Sequence, residues 1–460
     1  MTPVSETTAP PVSGGPLLDP SEPVAIIGGG ILGIALGYFL ARRGIRCEIF
    51  EASPVMGGLA GPRILDDGTA VDRFYHTILS SDAHLASLCA ELGIDGQLRF
   101  RRTRSAFYID GGLYSMNSLV EFLGFRPLTP LQRVALGVTV ARAQFYRDWK
   151  ALESVTLRDW LTTLGGRRVF ERLWEPMLKA KFDGDYDQIP ATWMWSRLVR
   201  MKSTRQGANQ VEQAGHLIGG YWTLLAAMLS RIEGAGGKLH LKCPVSQIVI
   251  DAGKVAGLQV LGQFRPYSQV VTTMQGPVSA ALMPGAPAEY RDALARIPYL
   301  GVVCALMVLD RPLSGTWTVN IAEPGIPLTG VIETTTYIDP RHVGGHHLVY
   351  LPKYTRPGSP WLAMGDDEIR RSWVDAVKRM FPAFSEEWIR YFLVHRERYV
   401  EPLRPIGSPD LPGAEAPVAG LYLATTAQIY PALTNGESVT RHAAKTAELV
   451  AGDRALMART

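Results

Sequence analysis

The feature that most constrains the fold is a glycine-rich turn between a predicted strand and a predicted helix near the start of the chain. Residues 24–27 form a short apolar run, and residues 31–43 carry apolar side chains at helical spacing. Between them, Gly28, Gly30 and Gly33 stand in the register GxGxxG. Gly28 permits a tight turn, Gly30 lets the backbone approach a pyrophosphate, and Gly33 lets the helix pack against the strand. The turn therefore predicts a site for a phosphate-containing ligand.

The residues that follow complete a strand–helix–strand unit. Ile31 and Leu32 open the helix, whose free N–H groups and partial positive charge would face the phosphates. A second strand over residues 46–50 leads into Glu51 and Ala52. A carboxylate at this place can accept hydrogen bonds from ribose hydroxyls. A glycine turn with no ligand is the alternative, but the strand before it, the helix after it and the acid favour a Rossmann-type dinucleotide site.

The segment after Glu51 indicates which dinucleotide binds. Gly57, Gly58 and Leu59 follow it, with the glycine pair six residues beyond the acid. This arrangement resembles the second glycine motif of the superfamily of flavin amine oxidases, protoporphyrinogen oxidases and phytoene desaturases. The resemblance implies FAD rather than NAD. Family members often carry arginine two residues before the pair, where this chain has Val55, so backbone dipoles would neutralise more of the pyrophosphate charge.

Two further segments are similar to this superfamily. The stretch containing Asp72 and His76 is similar to one that lies along the flavin in protoporphyrinogen-oxidase-like proteins. Val245 stands in a segment similar to the strand whose valine contacts the adenine through its backbone. The alternatives are that His76 is a hydrogen-bonded histidine under a loop and that Asp72 caps a turn. The resemblance extends over about residues 22–453 and is loose in the middle of the chain.

The C-terminal segment also resembles the superfamily. Asn435, Gly436, Ser438 and Val439 begin the last predicted helix. In the superfamily that helix points its N-terminus at the pyrimidine edge of the flavin, which stabilises the anionic reduced form. An ordinary Asn-Gly turn is the alternative here. Because no cysteine or histidine stands at a covalent attachment motif, we expect noncovalent FAD.

The catalytic residues are less constrained, because the cofactor itself carries the difficult step. The sequence favours His76, Lys181 and Tyr430. Lys181 lies in a segment similar to a Lys-Phe-Gly motif of sugar- and lipid-pathway relatives, with Asp183 in place of the glycine. A solvated lysine at a helix end is the alternative. The remaining candidates are Lys179, Tyr221 and Tyr354.

The pattern along the chain predicts an α/β fold with a Rossmann-type FAD-binding domain, like that of glutathione reductase, and a second α+β substrate domain. Residues 1–21 are rich in Pro, Ser, Thr and Gly and read as a disordered tail. The predicted FAD-binding domain comprises residues 22–100, 205–285 and 415–453. The predicted substrate or cap domain comprises residues 101–204 and 286–414.

Composition limits the partners. The net charge of +4 and the 20% charged residues argue against a nucleic-acid partner. The four cysteines form no CxxC pair, and Gly344-Gly345-His346-His347 has no acid at metal spacing, so we expect no metal site and a reducing cytoplasm. Residues 119–146 read as a core helix pair in preference to an amphipathic surface that touches a membrane. Peripheral contact with the inner face of a membrane stays open.

The resemblance predicts an FAD-dependent oxidoreductase that transfers a hydride from an amine, an alcohol or a C–C bond to flavin N5. The substrate would be small or lipid-linked, and anionic if the arginine clusters line its pocket; the clusters comprise Arg99, Arg101, Arg102, Arg104, Arg197, Arg200 and Arg205. One alternative is a redox-neutral flavoenzyme resembling UDP-galactopyranose mutase. A non-catalytic flavin- or nucleotide-binding accessory protein is another. The sequence does not determine the substrate, the electron acceptor or the oligomeric state.

Overall fold

The strand–turn–helix unit predicted from the glycines opens the fold. The computed structural model describes residues 22–203 and 213–457. The predicted tail of residues 1–21 and Arg205 lie outside the described residues. Within these ranges there are 13 α-helices and 20 strands, which we number in chain order.

The helices share no common length, because several are single turns in the middle of the chain. They are α1 Ile31–Ala41, α2 Ala83–Leu92, α3 Leu119–Leu123, α4 Pro130–Phe145, α5 Leu157–Gly165, α6 Arg167–Val169, α7 Glu175–Lys181, α8 Thr192–Ser203, α9 Tyr221–Gly234, α10 Gly276–Leu282, α11 Ala288–Ala295, α12 Asp366–Met380 and α13 Gly436–Met457.

The strands are short except in the C-terminal half. They are β1 Val24–Ile27, β2 Cys47–Phe50, β3 Pro62–Ile64, β4 Ala70–Asp72, β5 Ile78–Leu79, β6 Leu98–Arg102, β7 Ser105–Ile109, β8 Gly112–Ser115, β9 Gln213–Leu217, β10 Lys238–His240, β11 Val245–Asp251, β12 Lys254–Val260, β13 Gln263–Pro266, β14 Val270–Thr272, β15 Tyr299–Leu309, β16 Thr318–Ile321, β17 Gly330–Glu333, β18 His347–Thr355, β19 Ile389–Pro402 and β20 Leu421–Leu423.

A five-stranded parallel sheet carries the glycine turn. Its order is β10-β2-β1-β14-β20, so strands from distant parts of the chain lie side by side. Every residue of the central strand β1 is buried, as expected for a parallel strand covered on both faces. Helices α1, α9 and α13 pack their apolar residues into one core on this sheet. The predicted α/β class is confirmed, while the division into two domains stays a prediction.

A seven-stranded sheet forms the second large layer, in the order β19-β15-β18-β17-β16-β7-β8. Strand β15, next to the edge strand β19, is buried at all 11 positions and is paired on both sides by antiparallel strands. Alternate residues of β15 serve two different cores. Val303, Ala305 and Met307 pack towards α12, whereas Cys304 and Leu306 pack with Phe74 and Tyr350 on the other face. Burial on both faces explains why β15 reads as a continuous apolar run.

The prediction that residues 119–146 form a core helix pair is right for only one side of the pair. Helix α4 buries Leu136, Thr139 and Ala143, and it contacts α5 and α8 on that side. Four of its other apolar side chains are exposed, with Leu131 80% and Phe145 72% exposed. The helix is apolar on two faces, and the fold covers one of them. Apolar content alone cannot tell which face a helix buries.

We predict that Trp373 of α12 stabilises the seven-stranded sheet strongly. Trp373 is fully buried in α12 against β15, so Trp373→Ala should lower the free energy of unfolding by about 3–5 kcal/mol because it leaves a large cavity. Trp222→Ala is the control, since Trp222 is 38% exposed and its loss should cost far less. A guanidinium titration of both variants measures the difference. Equal losses would contradict this assignment.

Candidate active site

The glycine turn after β1 has the geometry that its sequence predicts. Gly28 adopts a φ of 107°, and a Cβ there would meet Thr273 Oγ1 at 2.5 Å. A Cβ at Gly33 would lie 1.9 Å from the carbonyl oxygen of Gly28, so the helix can approach the turn only with glycine at this position. No side chain caps the N-terminus of α1, and its first turn holds no acid. Its N–H groups therefore remain available to an anion, and Ile31 and Leu32 lie in that first turn.

A second glycine turn lies against the first. The N–H of Gly57 donates to the carbonyl of Gly29 at 2.7 Å. Gly57 and Gly58 have φ values of 111° and 56°, in the left-handed region that favours glycine. A Cβ at Gly58 would meet Gly30 Cα at 3.3 Å. Leu59 and Ala60 continue as a short 3₁₀ turn. The two turns thus form one backbone surface without side chains, which we call the glycine cradle (residues 28–30 and 57–58).

Gly30 indicates what the cradle is for. A Cβ at Gly30 would meet no atom nearer than Gly58 Cα at 4.0 Å, so no contact within the protein requires glycine there. A ligand that approaches the backbone closely does require it. A bare backbone beside an uncapped helix N-terminus fits the pyrophosphate of a dinucleotide such as FAD.

Glu51 is fixed beneath the cradle at the end of β2. One carboxylate oxygen accepts the N–H of Gly29 at 2.8 Å, and the other accepts the N–H of Ser53 at 2.7 Å. Each oxygen keeps a further lone pair that could accept a ribose hydroxyl. Ala52 lies between these two residues in the same turn.

Val245 begins β11 near the same turn. Two preceding residues reach the Glu51 segment through the backbone, because the N–H groups of Lys242 and Cys243 donate to the carbonyls of Ser53 and Glu51 at 3.0 and 2.8 Å. The side chain of Val245 is half-buried, and its backbone pairs with Val260. The structure therefore brings Val245 to the Glu51 end of the site.

Asp72 and His76 lie beside the N-terminus of α9. Asp72 Oδ1 accepts the N–H of Tyr221 at 3.3 Å, so Asp72 caps a helix far along the chain rather than the next turn. Burial raises the pKa of Asp72 to about 7, opposed by that hydrogen bond. The ring of His76 lies 5.3 Å from that of Tyr221. These side chains join the cradle through β3 and β4, which start after Gly61 and pair with each other.

His76 is a neutral group in this position. Its Nδ1 lies 3.0 Å from the carbonyl oxygen of Phe74, which can only accept, so Nδ1 carries the proton and Nε2 is the acceptor. Burial lowers the pKa of His76 to about 4, against the hydrogen bond that raises it. At neutral pH His76 is therefore uncharged, and its Nε2 can accept a hydrogen bond or a proton.

The N-terminus of α13 closes the same region. Asn435 caps it, because its Oδ1 accepts the N–H of Ser438 at 2.9 Å, while the Ser438 hydroxyl accepts the N–H of Asn435 at 3.1 Å. A Cβ at Gly436 would meet the Tyr221 hydroxyl at 2.3 Å, which places the helix start directly against α9. Val439 is buried beneath this turn. The Asn-Gly pair is thus a helix start beside His76 and Asp72, not an isolated turn.

Lys181 belongs to a half-buried charge cluster at the end of α7. Its Nζ lies 2.5 Å from Glu401 Oε2 and 3.1 Å from the centroid of the Tyr354 ring. The Tyr354 hydroxyl lies 3.2 Å from that of Tyr75, the neighbour of His76. Lys181 is therefore not a solvated lysine, and one chain of side-chain contacts connects it to the His76 segment.

Glu401 anchors this cluster. It also accepts from Arg197 at 2.7 Å and from the indole N–H of Trp193 at 2.9 Å. Burial would raise the pKa of Glu401, but the ion pairs with Lys181 and Arg197 outweigh it and lower the pKa to about 2. Glu401 thus stays an anion at any working pH.

Tyr430 lies apart from this chain of contacts. Its ring is 6.0 Å from that of Trp149 and lies under the guanidinium of Arg404 at 5.1 Å. Within the described ranges, no hydrogen bond or ring contact joins Tyr430 to His76 or Lys181. Its catalytic role stays a prediction that the geometry does not link to the other candidates.

The arginines divide into two groups. Arg197 pairs with Glu401, and Arg200 pairs with Asp82 at 3.2 Å, so both are charge-compensated. Arg99 and Arg101 instead line a cleft of about 220 Å³; the other lining residues are Phe100, His216, Asp339, Arg341 and His342. Asp339 accepts from both Arg101 and Arg341. That the substrate is anionic remains a prediction. This cleft is the site whose basic side chains would bind such a substrate.

Sequence reasoning missed Glu401, Tyr75 and Trp193. Glu401 stands near the end of β19, a 14-residue strand that was not predicted. An acid followed by a proline at the end of an aromatic-rich run indicates a strand that ends in a carboxylate. This signal could have identified Glu401. Tyr75 lies inside the segment that was singled out for Asp72 and His76.

Comparisons with known proteins agree with this geometry. A model of the family described as flavin-containing amine oxidoreductase matches residues 33–448. Zeta-carotene desaturase of Zea mays is 20% identical over 486 residues, covering 94% of this chain and 84% of that protein. 15-cis-phytoene desaturase of Glycine max is 21% identical and covers 87% of this chain and 74% of its own.

Solved structures share the fold. A candidate protoporphyrinogen oxidase from Exiguobacterium sp. 255-15 aligns with a TM-score of 0.72 at 17% identity, covering 94% of this chain and 99% of that one. A reduced UDP-galactopyranose mutase aligns at 0.70 with 13% identity over 94% and 95%. Putrescine oxidase bound to putrescine aligns at 0.66 with 13% identity over 94% and 99%. At these identities the likeness concerns the fold, which hosts several reactions.

We predict that Gly30→Ala separates ligand binding from folding. The added methyl group has room within the protein but would occupy the cradle, so FAD affinity should fall about tenfold or more, equivalent to about 1.4 kcal/mol. The melting temperature of the FAD-free protein should stay unchanged. Titration of that protein with FAD, followed by flavin fluorescence, measures the affinity. Gly234→Ala, where a Cβ meets nothing within 4 Å, is the control. Unchanged affinity would contradict the cradle.

We predict that Asp72 makes the free energy of unfolding fall as the pH rises towards neutrality. Its pKa of about 7 in the folded protein exceeds the roughly 3.9 of an unfolded aspartate, so the folded state holds the extra proton between these values. Stability is therefore lost as the pH rises through this window. Asp72→Asn cannot ionise, so its melting temperature relative to wild type should rise from about pH 4 to about pH 7. The exposed Asp251→Asn is the control. A constant difference for Asp72→Asn would contradict the assignment.

Proposed function

Because this chain belongs to the family of flavin-containing amine oxidoreductases, we propose that it oxidises an amine or a C–C bond of a small or lipid-linked substrate. FAD-dependent oxidoreductase activity follows from the family match, as predicted from the sequence. Bound FAD supplies a two-electron acceptor that takes a hydride at N5. The reaction and the residues that assist it are our proposal.

The observation that carries this proposal is the glycine cradle with Glu51 beside it. The bare backbone of Gly30 and Gly58 would hold the pyrophosphate, and the N-terminus of α1 would compensate its charge. Glu51 would accept the ribose hydroxyls. Since Val55 replaces the arginine common in the superfamily, backbone N–H groups would compensate the pyrophosphate charge in its place. The binding is noncovalent in our proposal.

The remaining candidate residues would define the substrate side. His76 is neutral and offers Nε2 as an acceptor, while Tyr75 and Tyr354 present aromatic surface next to it. The Lys181–Glu401 ion pair is fixed against the Tyr354 ring. We propose that Lys181 assists the reaction because its ion pair and the Tyr354 ring hold its charge in one position. We also propose that the rings of Tyr75 and Tyr354 orient an apolar segment of the substrate.

The printed substrates of relatives and structural neighbours give two classes of test compound. The similar desaturases are named for carotene and phytoene, and a neighbouring structure holds putrescine. A redox-neutral reaction on a sugar nucleotide would call for uncompensated cations. Arg197 and Arg200 are instead paired with acids, which favours oxidation over that alternative.

Anaerobic mixing tests this proposal. The FAD-loaded protein is mixed with a polyene in detergent micelles or with a diamine, and flavin bleaching is followed. We expect one class to bleach the flavin. Glu401→Gln should slow that bleaching about tenfold, a barrier change of about 1.4 kcal/mol, because Lys181 loses its charged partner.

FAD affinity of Glu401→Gln should stay unchanged, since Glu401 makes no contact with the cradle. The matched control is Glu386→Gln, which removes a surface ion pair with Lys378 and should bleach at the wild-type rate. No bleaching with either class, together with turnover of a sugar nucleotide by the reduced protein without net electron transfer, would overturn the proposal.

A further inference from the structure

Exposed apolar side chains concentrate on one short part of the chain. Sixteen large apolar residues are exposed in the described ranges, and eight of them lie between residues 119 and 146. They are Leu119, Val120, Leu123, Leu131, Val134, Val138, Phe145 and Tyr146. We call these eight the α3–α4 surface. Single exposed apolar residues need no explanation, but such a concentration marks an interaction site.

Helix α4 presents this surface along one side. Leu131, Val134, Val138 and Phe145 stand at helical spacing i, i+3, i+7 and i+14, which places them on one face. Their exposed fractions are 80%, 62%, 39% and 72%. The residues buried towards the rest of the protein are Leu136, Thr139 and Ala143. The outward apolar face is therefore additional to what folding requires.

Helix α3 extends the surface. Leu119, Val120 and Leu123 are 72%, 80% and 59% exposed. The Phe122 ring lies against α4, where a Cβ at Gly137 would meet it at 3.5 Å. The two helices are thus neighbours, and α3 leaves its other apolar residues outward.

The charges around the surface have one dominant sign. Residues 119–148 contain four arginines, one glutamate and one aspartate, a net charge of +2. The arginines are Arg126, Arg133, Arg142 and Arg147. Glu121 is already paired with Arg104 outside this range at 2.5 Å. Arg142 stands on the same face of α4 as Leu131 and Val138, so positive charge and apolar side chains are interleaved.

The combination of exposed apolar side chains and arginines indicates which kind of partner binds. An apolar helix face that carries an arginine, with further arginines nearby in the chain, is the pattern of a helix that lies in a membrane interface, with its apolar side among the acyl chains and its cations at the headgroups. A second copy of the same surface would bring like charges together, which disfavours a dimer here. Among the described residues, no helix has the length and hydropathy to span a bilayer.

We propose that the α3–α4 surface docks this protein on a bilayer that contains anionic phospholipid. The surface ends at Tyr146, whose carbonyl accepts from Trp195, and the following Trp149 packs on Tyr430. Docking itself does not rest on the proposed reaction, because it can be measured without turnover.

Vesicle sedimentation tests docking with the FAD-loaded full chain. We expect the wild type to sediment with vesicles of phosphatidylcholine and phosphatidylglycerol, and less with phosphatidylcholine alone. Leu131→Glu/Val138→Glu should reduce binding to the anionic vesicles at least tenfold. Arg142→Gln/Arg147→Gln, at two exposed arginines, should abolish the preference for anionic vesicles. Leu261→Glu, at a 60% exposed turn away from this surface, is the matched control and should bind like the wild type.

Flavin absorbance and melting temperature should be unchanged in all variants, because the substituted side chains point to solvent. The proposal is overturned if the wild type binds neither vesicle, or if Leu261→Glu reduces binding as much as the α4 variant. It is also overturned if light scattering shows a dimer that Leu131→Glu/Val138→Glu dissociates while vesicles are not bound. Failure of the bleaching experiment with intact vesicle binding would reject only the proposed reaction.

Discussion

The structure of the site depends on one close approach of two glycine turns. The hydrogen bond from Gly57 N–H to the Gly29 carbonyl holds them together at 2.7 Å. A Cβ at Gly29 would meet Glu51 Cβ at 2.8 Å, and a Cβ at Gly57 would meet Gly61 Cα at 2.7 Å. This approach orders Glu51 on one side, through Gly29, and leads on the other side through β3 and β4 to Asp72. A side chain at these glycines would separate the pyrophosphate surface from the substrate side.

Each of the two large sheets supplies part of the site. The parallel sheet supplies the cradle, as expected where ligands bind at the carboxyl ends of parallel strands. The seven-stranded sheet supplies Tyr354 and Glu401 from β18 and β19, on either side of the fully buried β15. Because β15 contributes alternate residues to two cores, a change in its register would disturb both cores at once. The chain can thereby hold an ion pair and aromatic rings in fixed positions with little solvent access.

The sequence predicted the cofactor half of the site well because its signals are local. The strand over residues 24–27 was predicted with the bounds that the structure shows, and the helix after the glycine turn begins at Ile31 as predicted. Glu401 was not predicted, because nothing near it indicates that Lys181 will be its partner after folding. The α4 error has a similar cause: the helix is apolar on two faces, and only tertiary packing decides which face is covered. Local chemistry can be predicted from sequence, whereas long-range pairing and coverage cannot.

The central claim is that a side-chain-free cradle binds FAD without a covalent bond. The most direct measurement is the visible absorbance spectrum of the purified protein, repeated on the supernatant after heat denaturation. The account predicts flavin bands that move entirely into the supernatant and are identified as FAD by chromatography. Flavin that stays with the denatured protein would contradict noncovalent binding. Absence of flavin bands, even after incubation with added FAD, would contradict the cradle itself.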